Sequence, residues 1–169
     1  MNWEMLAAIA QVVTAIAVIP SLIYLAAQIT EQNKERRRAA VNVLIGQWSA
    51  LLKSMIDSSE FADIYLRGLQ DFDELAPAEK IRFGAFLVTS FKTFEGMFHY
   101  KLDGTLDVSL WKVIERTMAD LVSYRGTQEW WQIRKNWHTQ DFADVVDRII
   151  DEGHKPSAFE RFLPPQSSK

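Results

Sequence analysis

Residues 5–27 read MLAAIAQVVTAIAVIPSLIYLAA, a run with no charged side chain that is apolar at nearly every position. A helix rising about 1.5 Å per residue carries this run across roughly 35 Å, against a bilayer hydrocarbon core of about 30 Å. The stretch is therefore expected to cross a membrane with some tilt, and the rest of the chain is read outward from it. On its N-terminal side Met1 to Glu4 contain no basic residue, unlike the opening of a cleaved signal. On its C-terminal side Lys34, Arg36, Arg37 and Arg38 face only Glu31 and Glu35, a local excess of positive charge. The positive-inside rule then puts the N-terminus outside and the C-terminal domain in the cytoplasm, as for a retained anchor. The same four basic residues are candidates for contact with anionic lipid headgroups, beside their plainer role as a solvated topology signal.

Polar and small residues within the span are not scattered. Glu4, Ala7, Gln11, Thr14, Val18, Ser21, Leu25 and Gln28 follow alternating steps of three and four, which keeps them on one helix face. A glutamine in hydrocarbon needs a partner, so this face is expected to meet protein, either as glue between identical spans or as the lining of a pore. Back-bonding of Thr14 and Ser21 to their own helix carbonyls is the plainer alternative. Pro20 lacks an N–H, frees the carbonyl of Ile16 and is expected to kink the helix.

The chain has 169 residues and no cysteine, which removes disulfides, thiol nucleophiles and cysteine-ligated metals. Beyond the juxtamembrane run the balance turns acidic. The 19 Lys and Arg less the four basic residues above leave 15, and the 22 Asp and Glu less Glu4, Glu31 and Glu35 leave 19. Such a domain is not expected to bind nucleic acid.

Helical periodicity runs through the remainder, with no convincing strand or repeat, and the fold class is all-α. The boundaries expected are an anchor over 1–29, a juxtamembrane or stalk helix over 30–57 with Val41, Leu44, Trp48, Leu51, Leu52 and Met55 on one side, a cytoplasmic helical domain over 58–155, and a flexible tail over 156–169. Asp57 or Ser58 offers the cap of a short helix to Leu69, and Pro77 with Glu79 starts a core helix through Phe83, Phe91, Phe94 and Phe98 that ends at Asp103-Gly104. A helix from Asp107 to Arg125 is expected to stop at Gly126, after which Thr127 caps the next and Thr139 the last. In the tail, Phe159, Phe162 and Leu163 offer apolar groups for docking, ahead of Pro164 and Pro165.

Two segments carry a resemblance. FKTFEGMFHYKLDGTLD (91–107) with Trp111, and EWWQIRKNW (129–137) with Phe142 and Asp147, resemble the Phe-Glu and Trp-Trp signatures of a broad family of uncharacterised bacterial single-span membrane proteins. Its spans end in a segment like SLIYLAAQI, here Ser21 to Ile29. The resemblance covers most of the chain and implies the topology and the helical fold, with no activity attached. Here the glycine after Tyr100 is Gly104, one position later than in the family's Tyr-x-x-Gly.

Glu95 sits among Phe91, Phe94 and Phe98, and a buried carboxylate needs a partner. Arg134, one turn after Trp130 and Trp131, is the expected one. His99 follows Glu95 by one turn, but this Glu-x-x-x-His lacks a second such pair, and a lone histidine bonded in or near the core is expected, with no metal and no cofactor. No nucleophile elbow, phosphate-binding loop or dinucleotide fingerprint occurs, so no enzyme is expected. Trp3 suits the outer interface, and adjacent Trp130 and Trp131 cannot face one way on a helix, so one should meet another helix, subunit or the membrane. The composite expectation is a non-enzymatic, membrane-anchored assembly or interaction protein that self-associates through the polar stripe of its span. A small homo-oligomeric channel lined by that stripe and an accessory subunit of a larger membrane complex, bound to a protein partner, are the alternatives.

Overall fold

The computed structural model describes residues 3–163, and every element among them is helical. The helices are α1 (Trp3–Asp57), α2 (Ser59–Gln70), α3 (Pro77–Leu102), α4 (Val108–Val122), α5 (Arg125–Arg134) and α6 (Gln140–Asp151), with short 3₁₀ turns at Lys135–Trp137 and Glu160–Phe162. The chain divides into two compact units, Met1–Ala39 and Ala40–Lys169.

The first unit is the N-terminal part of α1, with Pro20 carried inside the helix. It leaves Ile9, Ile16, Ile19, Leu22, Ile23 and Ile29 half-exposed or more. Among the described residues the one helical stretch long and apolar enough to cross a membrane, by length and composition alone, is Val18–Asp57 of α1.

In the second unit the sequence chemistry of the helix ends is largely realised. The Ser58 hydroxyl accepts from the Phe61 N–H at 3.1 Å and starts α2. Pro77 begins α3, and Glu79 in its first turn accepts from the Ala76 N–H at 3.0 Å while taking both Arg67 Nη donors at 3.1 and 2.7 Å. The Asp107 carboxylate caps α4 through the Ser109 N–H. Gly104 and Gly153 close α3 and α6 at φ +68° and +67°, where a side chain would be strained.

α3 is the central element of the core. Phe83, Leu87, Phe91, Phe94 and Met97 along it are almost fully buried and are packed by residues from α2, α4, α5 and α6. Phe91 stacks on Trp131 at 5.0 Å and packs on Trp130 at 5.3 Å. Both tryptophans are buried, and the indole N–H of Trp131 turns towards α6 to meet Asp147 Oδ1 at 2.8 Å. Residues 40–57 of α1, part of the 30–57 stretch that the sequence sets apart as a stalk, contribute buried Ala40 and Leu51, and Trp48 meets Phe94 at 5.5 Å.

Three local expectations are corrected. α4 ends at Val122 and not at Arg125, because the Ser123 N–H and hydroxyl both turn back to the Asp120 carbonyl. Gly126 is not a helix stop and Thr127 is not a cap, since α5 already begins at Arg125 with Tyr124 as its N-cap. Gly126 is required by close packing instead: a Cβ there would lie 1.8 Å from the backbone oxygen of Gly68 on α2. Thr127 is fully buried, and its Oγ1 has no hydrogen-bond partner among the described residues.

The segment after α6 is tied down over 157–159. Asp120 Oδ1 accepts from the Ser157 N–H at 2.9 Å, the Ser157 hydroxyl at 2.7 Å and the Ala158 N–H at 3.1 Å, and the Phe159 N–H donates to the Tyr124 hydroxyl oxygen at 2.8 Å. The Phe159 ring lies edge-on to Tyr65 at 5.3 Å. One carboxylate thus makes three acceptor contacts with this part of the tail; Pro164, Pro165 and the last residues lie outside the described range.

Candidate functional site

Two places hold the polar residues singled out by the sequence. The first is the N-terminal part of α1. Glu4, Gln11, Thr14, Ser21 and Gln28 are all exposed on α1. Thr14, Val18, Ser21, Leu25 and Gln28 line one shallow trough together with Pro20, Leu22 and Tyr24, while Gln11 lies outside it. Thr14 and Ser21 are each already engaged in an interaction of their own. Thr30 shows the local back-bond in full, its hydroxyl donating to the Ala26 carbonyl at 2.9 Å. Next along α1, Lys34, Arg36, Arg37 and Arg38 are exposed, with Lys34 bonded to Glu31 at 3.1 Å. Glu31 removes part of the run's positive excess but leaves the arginine cluster in place.

The second place is the carboxylate of Glu95, buried as the aromatic neighbours predict, at 5% exposure. Its partners are not those the sequence suggested. Oε1 accepts from the Thr139 N–H at 2.7 Å, and Oε2 meets His138 Nδ1 at 2.9 Å and Lys92 Nζ at 2.7 Å. Lys92 also donates to the Trp137 carbonyl at 2.7 Å. One carboxylate thus holds the chain between α5 and α6 against α3, and it occupies the Thr139 N–H at the mouth of α6, a donor that no helical carbonyl would satisfy. Thr139 is the N-cap residue as expected, but by position alone, because its side chain makes no capping bond.

Arg134 is not the partner of Glu95. Its guanidinium lies 4.4 Å from the centroid of the Trp137 ring. The cause is the end of α5: the chain tightens into a 3₁₀ turn at Lys135–Trp137, which brings His138 and Thr139 to Glu95 and places Trp137 under Arg134. His99 is exposed, its ring against Phe98 at 5.8 Å, and so is not the core histidine expected there. That place belongs to His138, whose side chain is 1% exposed, with its ring between Trp131 at 5.2 Å and Phe142 at 5.5 Å. Its signal in the sequence was slight: it directly precedes a helix-capping threonine, and the buried carboxylate far upstream needed donors.

Electrostatics follow from these contacts. Burial alone would push the Glu95 carboxyl up, but the bonds from Lys92, the Thr139 N–H and His138 outweigh it and hold the group at about 2. Burial pushes the His138 imidazole below its ordinary value, the neighbouring Glu95 opposes this, and Lys92 adds to it. Near neutral pH the Glu95 carboxyl is therefore ionised and the His138 imidazole neutral, its Nδ1–H donating to the carboxylate. Among the described residues no three His, Asp or Glu side chains gather as a metal site. The Glu95 cluster is closed and internally satisfied, which suits a structural tie. The stripe on α1 is exposed, as are its described neighbours over 3–39.

The comparisons with known proteins add no relative: no family model, no curated protein and no solved structure matches the chain.

Proposed function

We propose that the protein is a single-span, membrane-anchored helical assembly protein, its α1 spanning a bacterial inner membrane with the N-terminus outside and the helical domain in the cytoplasm. It carries out no chemistry of its own in this reading. The observation that carries the proposal is the exposed, largely apolar N-terminal part of α1, where Thr14, Ser21 and Gln28 line a trough with Val18, Pro20, Leu22, Tyr24 and Leu25. Apolar surface of that extent is accommodated by lipid, whereas the amides are accommodated by a second copy of the same face. Each interhelical hydrogen bond of this kind contributes about 0.6–2 kcal/mol, so several along one seam are needed for a stable pair. Lys34, Arg36, Arg37 and Arg38 then fall where the helix leaves the bilayer and meet anionic headgroups.

The experiment is a mass determination of the full chain in lipid nanodiscs and in mild detergent, alongside Gln11→Leu and Gln28→Leu. Wild type should be oligomeric and the double variant shifted towards monomer. A wild-type monomer, or an oligomer untouched by both substitutions, refutes self-association through the stripe.

Pro20 beside the same trough favours a second reading, a small homo-oligomeric channel in which the stripe faces water. It requires conductance in planar bilayers that changes on Thr14→Val or Ser21→Ala. Silent bilayers from a folded oligomer would leave the assembly reading alone.

A further inference from the structure

Helices α3 and α5 leave between them a surface groove of about 730 Å³, within the size range of small-molecule sites. Gly84, Ala85 and Val88 contribute one wall, and Trp130, Ile133 and Arg134 the other. On α5 the last three stand at i, i+3 and i+4, so they share a face. Trp130 is 2% exposed, yet its indole Nε1–H donates to no group among the described residues. Its nitrogen keeps some solvent access, so the unpaired donor is open to the groove and is not an orphan sealed in the core. It borders Gly84, where a Cβ would lie 3.3 Å from Nε1, so the glycine keeps the donor uncovered towards the groove.

One turn along α5, the Arg134 guanidinium is fixed over the Trp137 ring and pairs with no carboxylate among the described residues. At the other end of the groove Lys80 is already engaged, bonded to Asp73 at 3.3 Å and lying over the Phe72 ring at 5.3 Å. The groove therefore offers one oriented neutral donor, one available cation a turn away, and apolar walls.

We propose that this groove binds a small amphiphilic carboxylate. The carboxylate accepts from Trp130 Nε1–H and from the Arg134 guanidinium, and its short hydrocarbon chain lies against Ala85, Val88 and Ile133. A single negative charge matches the single available cation, and the planar guanidinium fork matches a carboxylate. Asp73 at the far end disfavours a second anionic group. The site lies wholly within the helical domain and stands independently of how α1 associates.

The test uses the full chain, labelled with ¹⁵N-tryptophan, in phosphatidylcholine nanodiscs. Sodium octanoate is the probe, with octanol and octyltrimethylammonium as controls. The Trp130 indole resonance, assigned through Trp130→Phe, should move saturably with octanoate and with neither control. Doubling the lipid should leave the midpoint unchanged in free octanoate. Arg134→Gln should weaken the response about tenfold or more, consistent with loss of a charge-assisted bond, and Arg134→Lys should restore part of it. An unmoved Trp130 resonance, an equal response to octanol, or an Arg134→Gln variant that binds as wild type would each overturn the proposal.

Discussion

Removing the Glu95 carboxylate should destabilise the helical domain more than any other single polar deletion in it. Glu95→Ala leaves the Thr139 N–H, His138 Nδ1 and Lys92 Nζ without their shared acceptor at a site 5% exposed. Breaking a buried charged contact by deleting one partner costs about 3–5 kcal/mol, a large part of a typical domain stability of roughly 5–15 kcal/mol. Glu95→Gln keeps the shape and one acceptor but loses the charge facing Lys92, and should fall between the two. The effect also depends on pH. A carboxyl held at about 2 in the fold, against 4.5 unperturbed, binds fewer protons folded than unfolded. Its contribution, on the order of 3 kcal/mol, is complete above about pH 4.5 and disappears as pH falls towards 2. His138, pushed below its ordinary value, acts in the same direction: the unfolded chain takes up its proton first, so stability begins to fall below about pH 6.5. Denaturant unfolding of the full chain followed by tryptophan fluorescence, from pH 7 to pH 3, measures both. Wild type should lose stability steadily on acidification, and Glu95→Ala should lose distinctly less between pH 4.5 and pH 3, keeping the part of the slope that belongs to Glu79 beside Arg67. A variant within 0.5 kcal/mol of wild type at pH 7, or one with the same acid slope, would refute the role assigned to this carboxylate.

Glycine substitutions should separate packing from propensity. Gly126→Ala forces a Cβ to within 1.8 Å of the Gly68 oxygen and should cost about 2–3 kcal/mol or more in the same unfolding assay, whereas Gly46→Ala meets nothing within 4 Å and should gain roughly 0.5–1 kcal/mol. Thr127→Val removes a buried hydroxyl with no partner among the described residues; its melting temperature should rise or stay level, and a fall would mean the hydroxyl is bonded. Asp120→Ala removes the acceptor for Ser157 and Ala158 and should speed amide exchange over 157–159 severalfold with little change at α3; unchanged exchange there would mean that Phe159 packing alone holds the segment.

What was legible in the sequence, and what was not, divides by the range of the interaction. Ser58, Pro77, Asp107, Gly104 and Gly153 marked helix ends correctly because a cap or a left-handed turn is decided within a few residues. The burial of Glu95 was readable from three phenylalanines on its own helix. Its partners were not, because His138 and Thr139 reach it from 43 and 44 positions away through a 3₁₀ turn without a distinctive composition. Gly126 shows the same limit from the other side. It follows a helix pattern, as a stop signal would, but what needs it is a neighbouring helix met only in the fold. The trough on α1 was legible because a helix face is a property of spacing alone.

The most direct test of self-association through that face uses the absence of cysteine from the chain. Single cysteines placed along α1 in native membranes, with mild oxidation, report which face meets a second copy. Gln11, Thr14 and Ser21 should cross-link efficiently, while Ile9, Ile16 and Ile23 on the opposite side should not. Equal cross-linking around the helix, or none at the stripe positions, would contradict the assembly proposed for this protein.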